Sequence, residues 1–202
     1  MTKIKICGLT RAEDVEAAIA HGADYLGFIY VPGSPRYVDL DRLDHLLNIA
    51  NGRAKTVVVV RNLGPDELGF LRDRLDFDLF QFHGSEAPEV VEKWGGYKVI
   101  HIKGGAPDDQ LLQAYGQPFL LDTQVGSQQG GTGKTFNWSI LSSISGEYLV
   151  AGGLNPDNVC ELVNKHHPWG VDVSSGLESA PGVKDHLKIE RFINHVRRPV
   201  ST

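Results

Sequence analysis

The sequence predicts an α/β protein, a single-domain (β/α)8 barrel (TIM barrel) that spans residues 1–202. Short apolar runs that suit strands alternate eight times with segments of helical character, and strict alternation of this kind builds a parallel sheet. The length of 202 residues is sufficient for one such barrel, which is often about 200 to 250 residues long. Neither a linker nor a change in composition marks a second domain.

The eight predicted strands are β-branched or apolar runs that end in turn-forming residues. Thr10 and Glu13 have the spacing of a capping box at the start of the first helix. Asn155 followed by Pro156 suits the start of the helix after the seventh strand. The predicted strands are 3–7, 25–30, 56–60, 79–82, 97–102, 119–122, 149–151 and 170–173.

An open, doubly wound sheet has the same local signals, so alternation alone leaves both architectures open. The first strand is not followed by the GxGxxG fingerprint of dinucleotide-binding domains, which argues against a Rossmann fold. The last two strands are followed by Gly152-Gly153 and by Ser174-Ser175-Gly176. In a barrel, the loops after strands 7 and 8 form the usual phosphate site, because backbone N–H groups there point at the anion.

Composition narrows the class of protein. The net charge is −5 and no basic tract occurs, so a nucleic-acid partner is not expected. No uncharged apolar stretch is long enough to span a membrane, and the N-terminus lacks the apolar segment of a signal peptide. Cys7 and Cys160 are too few for a disulfide scaffold and suit a reducing compartment, so a cytoplasmic location is expected. A monomer and a homodimer both remain open.

Candidate catalytic residues follow from the barrel, whose active groups come from the C-terminal ends of strands. Cys7 ends the first strand, where it is either a small buried hydrophobic residue or a general base. Asp122 ends the sixth strand, where its carboxyl group either caps the next turn or takes part in catalysis. Arg36 follows a proline and is either an ordinary surface arginine or a residue that binds a carboxylate through two hydrogen bonds. His83 follows the fourth strand, as an acid, a base or a scaffold residue.

Asp172 and Lys5 are candidate supporting residues. Asp172 lies two residues before Ser174, so both side chains point to the same side of the eighth strand. Lys5 has the same relation to Cys7 in the first strand. A structural ion pair between Lys5 and Asp172 is at least as well supported as a direct role in chemistry.

Two other kinds of site are not favoured. Residues 123–135 form a glycine-rich loop in which Gly131 and Gly133 precede Lys134. This run resembles a nucleotide-binding P-loop, but it lacks the required spacing and the strand and helix on either side. The histidines are scattered, and neither HxxxH nor CxxC occurs, so no metal site is predicted.

With these residues in place, the chain resembles the phosphoribosylanthranilate isomerase family. The departures are modest: Asn137 stands where the family often has aspartate, and residues 59–62 replace a more usual Phe-Val-Asn ending of the third strand. The second departure puts contacts of the third loop in question but touches none of the main matches. The matching motifs are KICG (5–8), SPRYV (34–38), QFHG (81–84), LLDT (120–123), GGTGKTF.W (130–138), AGGLNP.NV (151–159) and VDVSSG.E..PG.KD (171–185).

The resemblance implies an isomerase of tryptophan biosynthesis. It would convert N-(5-phosphoribosyl)anthranilate to 1-(2-carboxyphenylamino)-1-deoxyribulose 5-phosphate by an Amadori rearrangement. Cys7 would be the general base, Asp122 the general acid, and Arg36 the partner of the anthranilate carboxylate. Loops 152–153 and 174–176, helped by 130–133, would hold the phosphate. The scheme needs no metal or redox cofactor, and its partner is this small phosphosugar substrate.

Two alternatives are weighed against this interpretation. The related aminoaldose isomerase of the histidine pathway would have aspartate at the end of the first strand, where Cys7 stands. A non-catalytic sensor of phosphorylated ligands would keep the glycine loops, but it would not need Cys7, Arg36 and Asp122 together.

Overall fold

The computed structural model describes residues 1–125, 128–129, 135 and 137–197, with the backbone alone at 124, 125, 128 and 129. Eight parallel strands pair in chain order, and the eighth pairs with the first, which closes the barrel and excludes the open sheet. The barrel strands are β1 Lys3–Cys7, β2 Tyr25–Ile29, β3 Lys55–Val60, β4 Leu79–Phe82, β5 Gly96–Ile102, β6 Phe119–Val125, β7 Tyr148–Val150 and β8 Gly170–Val173.

Helices connect the strands on the outside of the barrel. Between β6 and β7, the described residues contain a 3-10 helix, Trp138–Ser143, and a two-residue strand, Gln128–Gln129, antiparallel to the end of β6. After β8 come a 3-10 turn, Ser175–Leu177, and an antiparallel hairpin of Glu178–Ala180 with Val183–Lys184. The α-helices are α1 Ala12–His21, α2 Leu40–Ala50, α3 Pro65–Arg74, α4 Pro88–Trp94, α5 Asp109–Tyr115, α6 Val159–His166 and α7 His186–Arg197.

One of the two predicted helix starts is wrong. The Thr10 hydroxyl donates to the carbonyl of Gly182 and does not cap α1. The N-cap position of α1 is occupied by Arg11, whose side chain makes no capping hydrogen bond. The Asn155 side chain accepts from the backbone N–H of Asp157 and Asn158 at 2.8 and 3.2 Å. These are the bonds of an N-cap, and the Asn155 carbonyl also accepts from the Val159 N–H at 3.2 Å, so Asn155 caps a first turn as predicted, and the regular helix α6 follows from Val159.

Apolar packing fills two layers. Between strands and helices lies the main core, in which Ile4, Ile6, Phe28 and Phe192 are fully buried. Inside the barrel, alternate strand residues form a second, smaller cluster, Val57, Tyr97, Val99, Leu120, Leu149 and Ala151. Above this cluster the interior turns polar toward the C-terminal ends of the strands, the end called the mouth below.

The N-terminal end of the barrel is held by ion pairs. A polar groove of about 530 Å³ lies there, lined in part by Asp24, Lys55 and Asp78. Arg197 of α7 donates to the carbonyl of Thr2 at 2.9 Å and pairs with Asp24 at 2.6 Å. These contacts tie the last helix to the first strand, at the end opposite the candidate catalytic residues. Within the described part of the chain, no helix is long and apolar enough to cross a bilayer.

Candidate active site

Cys7 lies at the mouth, at the end of β1, beside the buried Lys5. The Lys5 ammonium donates to both carboxylate oxygens of Asp172, at 3.0 Å each. Gly27 of β2 is the register partner of Cys7, and a Cβ there would lie 2.8 Å from the Cys7 sulfur and 2.9 Å from the Lys5 nitrogen. Glycine at position 27 therefore leaves the space that both groups occupy.

The environment of Cys7 keeps its sulfur protonated. Burial raises the pKa of the thiol, and the negative charge of Asp172 acts in the same direction. The Lys5 ammonium lowers the pKa of the thiol, but by less than burial raises it. The general-base role that the resemblance implies for Cys7 requires a thiolate. In the free enzyme, the charge of Lys5 does not suffice to make the thiolate the main form.

Asp122 lies in β6 with only 6% of its surface exposed. Burial, followed by the charge of Asp172, raises the pKa of the Asp122 carboxyl to about 7. The backbone N–H of Thr123 and the Lys5 ammonium oppose this rise. A carboxyl with this pKa is about half protonated near neutral pH, so it can serve as a proton donor there.

His83 and His101 stand beside Asp122. The Nε2 atom of His83 is 4.0 Å from an Asp122 oxygen, and the two imidazole rings meet edge-on with centroids 5.1 Å apart. Burial is the main cause that lowers the pKa of His83 to about 3. His83 is therefore neutral at physiological pH and is better suited to hydrogen bonding than to acid catalysis.

Arg36 is fixed by one edge of its guanidinium. Its Nε and Nη2 atoms donate to the two carboxylate oxygens of Glu178, at 2.7 Å each. Lys184 also donates to Glu178 at 2.8 Å, and to the carbonyl of Ser174 at 3.1 Å. A guanidinium has five N–H donors, so this bidentate pair leaves the Nη1 side of Arg36 for another acceptor.

The charges in this network do not cancel. Arg36 and Lys184 each carry a positive charge, whereas Glu178 supplies a single carboxylate. One positive charge thus remains for a ligand, and the free edge of Arg36 gives it the geometry of a carboxylate site. Gly8 makes this position possible, because a Cβ there would lie 2.6 Å from Arg36 Cδ and 2.8 Å from Ser174 Oγ.

The loops after β7 and β8 lie against each other. Gly152 and Gly153 have positive φ angles of 86° and 68°. A Cβ on Gly152 would lie 2.3 Å from Thr123 Oγ1, and one on Gly176 would lie 1.9 Å from the Leu154 carbonyl oxygen. The Gly176 approach brings the loop after β8 onto the loop after β7, and the Gly152 approach brings the loop after β7 onto Thr123 of β6, so these backbones meet as an anion site built from N–H groups requires.

The remaining sequence predictions are placed as follows. Ser174 joins β8 to the 3-10 turn, which begins at Ser175. Gly131 and Gly133 lie outside the described residues. The ion pair of Lys5 with Asp172 agrees with the structural interpretation of those two residues.

Four residues of the site were not singled out from sequence. Glu178 and Lys184 stand in the VDVSSG.E..PG.KD motif, where charged residues among glycine and proline could have signalled a buried pair. Gly27 interrupts an apolar strand, and a glycine inside a strand often marks a close approach. His101 gives no local signal, because only the register of β5 with β6 brings it to Asp122.

Comparison with known proteins gives one consistent family. The family model for N-(5'phosphoribosyl)anthranilate (PRA) isomerase matches residues 4–195. The N-(5'-phosphoribosyl)anthranilate isomerase of Pseudomonas fluorescens (strain Pf0-1) is 39% identical over 198 residues, which cover 96% of this chain and 97% of the relative.

Solved structures agree. The phosphoribosyl anthranilate isomerase of Thermotoga maritima superposes with a TM-score of 0.89 at 32% identity, over 98% of this chain and 99% of that one. A second structure holds phosphoribosyl anthranilate isomerase in complex with reduced 1-(o-carboxyphenylamino)-1-deoxyribulose 5-phosphate. It has a TM-score of 0.84 at 29% identity, and the match covers 98% of this chain and 99% of that one. The chain described above is therefore a member of the N-(5'-phosphoribosyl)anthranilate isomerase family.

Proposed function

We propose that this protein catalyses the Amadori rearrangement of N-(5-phosphoribosyl)anthranilate to 1-(2-carboxyphenylamino)-1-deoxyribulose 5-phosphate, a step of tryptophan biosynthesis. The observation that carries the proposal is the convergence of three groups at the mouth. A carboxyl with its pKa near 7 (Asp122), a thiol (Cys7) and a guanidinium with one free edge (Arg36) lie at the same end of the barrel. The ligand in the related complex has the same phosphate and aryl carboxylate ends.

The reaction begins with opening of the furanose ring. The Asp122 carboxylic acid donates its proton to the ring oxygen as the bond from C1 to that oxygen breaks. The electron pair of that bond goes to the oxygen, and the nitrogen lone pair forms a C=N⁺ bond to C1. A buried acid with its pKa near the working pH is suited to this transfer.

The second step removes the proton from C2. The Cys7 thiolate accepts it, the C–H electrons form a C1=C2 bond, and the C=N⁺ electrons return to nitrogen. The resulting enol becomes the ketone when the O2 proton is lost and C1 gains a proton. Because the iminium cation acidifies C2, a modest base is sufficient for this step.

The two groups must hold their protons in an unusual arrangement. Catalysis needs Asp122 protonated and Cys7 ionised, although the thiol has the higher pKa of the two in the free enzyme. This combination is therefore a minor protonation state. Lys5 and the cationic intermediate both stabilise the thiolate already present in this state, so it remains ionised until it accepts the C2 proton.

Substrate binding supplies the orientation. The loops after β7 and β8 are proposed to hold the phosphate, and the free edge of Arg36 to hold the anthranilate carboxylate. Anchoring both ends places C2 and the ring oxygen between base and acid, which reduces the entropic part of the barrier. Gly131 and Gly133 remain predicted phosphate contacts. No step of this scheme uses a cofactor.

The decisive test is mutation of the two proton-transfer groups. Cys7→Ser and Asp122→Asn should each lower kcat by at least ~10²-fold, the usual scale for loss of an acid or base. The assay follows loss of anthranilate-type fluorescence in the purified protein. Cys160→Ser, which changes the other cysteine, should retain turnover. Near-normal turnover of either site variant would remove that residue from its proposed role.

We also propose a cytoplasmic location and a monomeric or homodimeric state. Both cysteines are free, as expected for a reducing compartment.

A further inference from the structure

Three side chains with metal-binding atoms meet at the mouth. His83 follows β4, His101 lies in β5 and Asp122 lies in β6, so they come from three neighbouring strands. One ligand atom of each lies within 4.8 Å of the other two, and His83 Nε2 is 4.0 Å from Asp122 Oδ2. Because the three residues are far apart in sequence, no motif spacing reveals them.

Both histidines also have a second partner that orients the ring. The Nδ1 atom of His83 is 3.5 Å from the Gln81 amide nitrogen, and Gln81 accepts from the Tyr97 hydroxyl at 2.9 Å. A 180° turn of the amide exchanges its oxygen and nitrogen, so that Gln81 accepts the Nδ1 proton and donates to the Tyr97 hydroxyl oxygen; this leaves the Nε2 lone pair toward Asp122. The His101 ring is hydrogen-bonded to the backbone of His83. Histidines that bind metals are usually fixed by such an outer partner.

We propose that His83, His101 and Asp122 form a binding site for a divalent transition metal, best suited to Zn²⁺, and that the bound ion inhibits the isomerase. Two imidazoles and one carboxylate are a typical zinc donor set, whereas Mg²⁺ and Ca²⁺ prefer oxygen ligands alone. Ligand atoms around a tetrahedral zinc ion lie roughly 3.3 Å apart, so side-chain rotations that move each of the three atoms by about 1 Å bring them to a shared ion. The open mouth leaves the fourth position to water.

Inhibition follows from the identity of one ligand. An Asp122 oxygen that coordinates the ion cannot carry the proton for ring opening, and the ion occupies space next to the substrate. Metal binding itself depends only on the three side chains. The inhibitory effect, in contrast, rests on the proposed function of Asp122.

Cobalt provides a direct optical probe of the site. Chelator-treated protein should bind one Co²⁺ per chain and show the visible absorption bands of a cobalt ion with a low coordination number. Added Zn²⁺ should displace the Co²⁺. His101→Gln should abolish these bands and raise the Zn²⁺ concentration for half-inhibition at least ~10-fold. Inhibition is measured in each protein as the ratio of turnover with Zn²⁺ to turnover in chelator, so a change of basal turnover in His101→Gln does not enter the comparison. His45→Gln, an exposed histidine of α2, is the matched control and should change neither result.

Several outcomes would overturn the proposal. Unchanged cobalt bands in His101→Gln would remove the site, and a cobalt–thiolate charge-transfer band would assign the ion to Cys7 instead. Binding without inhibition would remove the inhibitory role. Asp122→Asn separates the two ideas: loss of the cobalt bands with normal turnover would support the metal site and refute the acid role, whereas lost turnover with unchanged bands would do the reverse.

Discussion

Arg36 illustrates how a single residue is prepared for its ligand. Glu178 occupies the Nε/Nη2 edge of the guanidinium, and Lys184 offsets the charge of Glu178. The Nη1 side and the positive charge of Arg36 are therefore available to an anionic ligand. A freely rotating arginine would lose side-chain entropy on binding the substrate carboxylate. Here the ion pair has already fixed the guanidinium, which reduces that cost.

Glu178→Gln should therefore weaken substrate binding. We expect KM to rise at least ~10-fold with kcat within about threefold, because Arg36 loses the partner that orients it and its proposed contact with the substrate weakens equally in the ground and transition states. Arg36→Met should raise KM by more. Glu16→Gln is the control, since Glu16 also makes a bidentate pair, with Nη1 and Nη2 of Arg53 at 2.7 Å each, but on the exposed outer surface. A defect of Glu178→Gln in kcat alone would argue against a positioning role.

The pH dependence of kcat/KM reports Asp122 and Cys7 as a pair. Active enzyme carries one proton on the pair, so kcat/KM should rise with pH through about 7, where the Asp122 carboxyl loses its proton. It should fall again as the thiol, whose pKa burial raises, titrates at higher pH. In Asp122→Asn the limb near 7 should disappear from the profile. A limb near 7 that persists in this variant would belong to another group.

At the scale of elements, strands and loops contribute different things. The strands set direction: β1, β6 and β8 carry Cys7, Asp122 and Asp172 into the barrel because alternate residues point inward. The loops set distance, and they do so through glycine. Gly176 allows the loop after β8 to approach the loop after β7, and Gly152 allows the loop after β7 to approach Thr123 of β6, more closely than a side chain permits.

Gly152→Ala separates backbone strain from steric clash. Gly33 has nearly the same φ, 85° against 86°, but no atom lies within 4 Å of a Cβ built there. Gly33→Ala should thus cost about 1 kcal/mol of unfolding free energy, from backbone strain alone. Gly152→Ala should cost more in urea unfolding and should also raise KM, because its loop is the proposed phosphate site. Equal losses in both variants would mean that the clash with Thr123 is relieved without cost.

Elements were predictable from sequence to different degrees. Strand patterns in residues 3–7, 79–82 and 170–173 coincide with β1, β4 and β8, since apolar runs and their glycine or serine ends are local signals. The hairpin after β8 was not predicted. Its short polar strands carry no apolar period, and it is held by non-local contacts such as that of Lys184 with Ser174.

At the scale of the whole molecule, the barrel buries charge at its centre. Lys5 is fully buried, and its partner Asp172 is 7% exposed. Removal of one member of such a pair leaves the other without compensation inside the protein, which is costly, whereas the intact pair itself adds little net stability. The apolar layer below it, which includes Val99 and Leu149, excludes water from that side.

Lys5→Met should lower the unfolding free energy by about 3–5 kcal/mol. Lys3→Met is the control, because Lys3 is 44% exposed and pairs with Asp24 at 3.4 Å, and such pairs contribute roughly 0–1 kcal/mol. The double change Lys5→Met with Asp172→Leu should recover most of the loss. Urea unfolding measures all three, and stability of Lys5→Met equal to that of the unchanged protein would mean that Asp172 gains another partner or a proton at little cost.

The closed barrel and the residues at its mouth were accessible from sequence for different reasons. Eight alternations and the loops after strands 7 and 8 predicted the barrel, while the roles of Cys7, Asp122 and Arg36 came from the resemblance. What the sequence could not provide is the distance between groups on different strands. The His83–His101–Asp122 cluster and the protonated state of Cys7 depend on that distance and on burial.

The bond between Arg36 and Glu178 joins residues 142 positions apart. The loop after β2 thus carries the proposed carboxylate-binding group, while the hairpin after β8 determines which edge of its guanidinium is left free. The proposed preference for an aryl amine that carries a carboxylate therefore depends on two segments that are far apart in the sequence. An enzyme that evolves to use a different aryl amine must change both segments. Transfer of the Arg36 loop alone into another barrel would not transfer the proposed selectivity, because Glu178 would be missing.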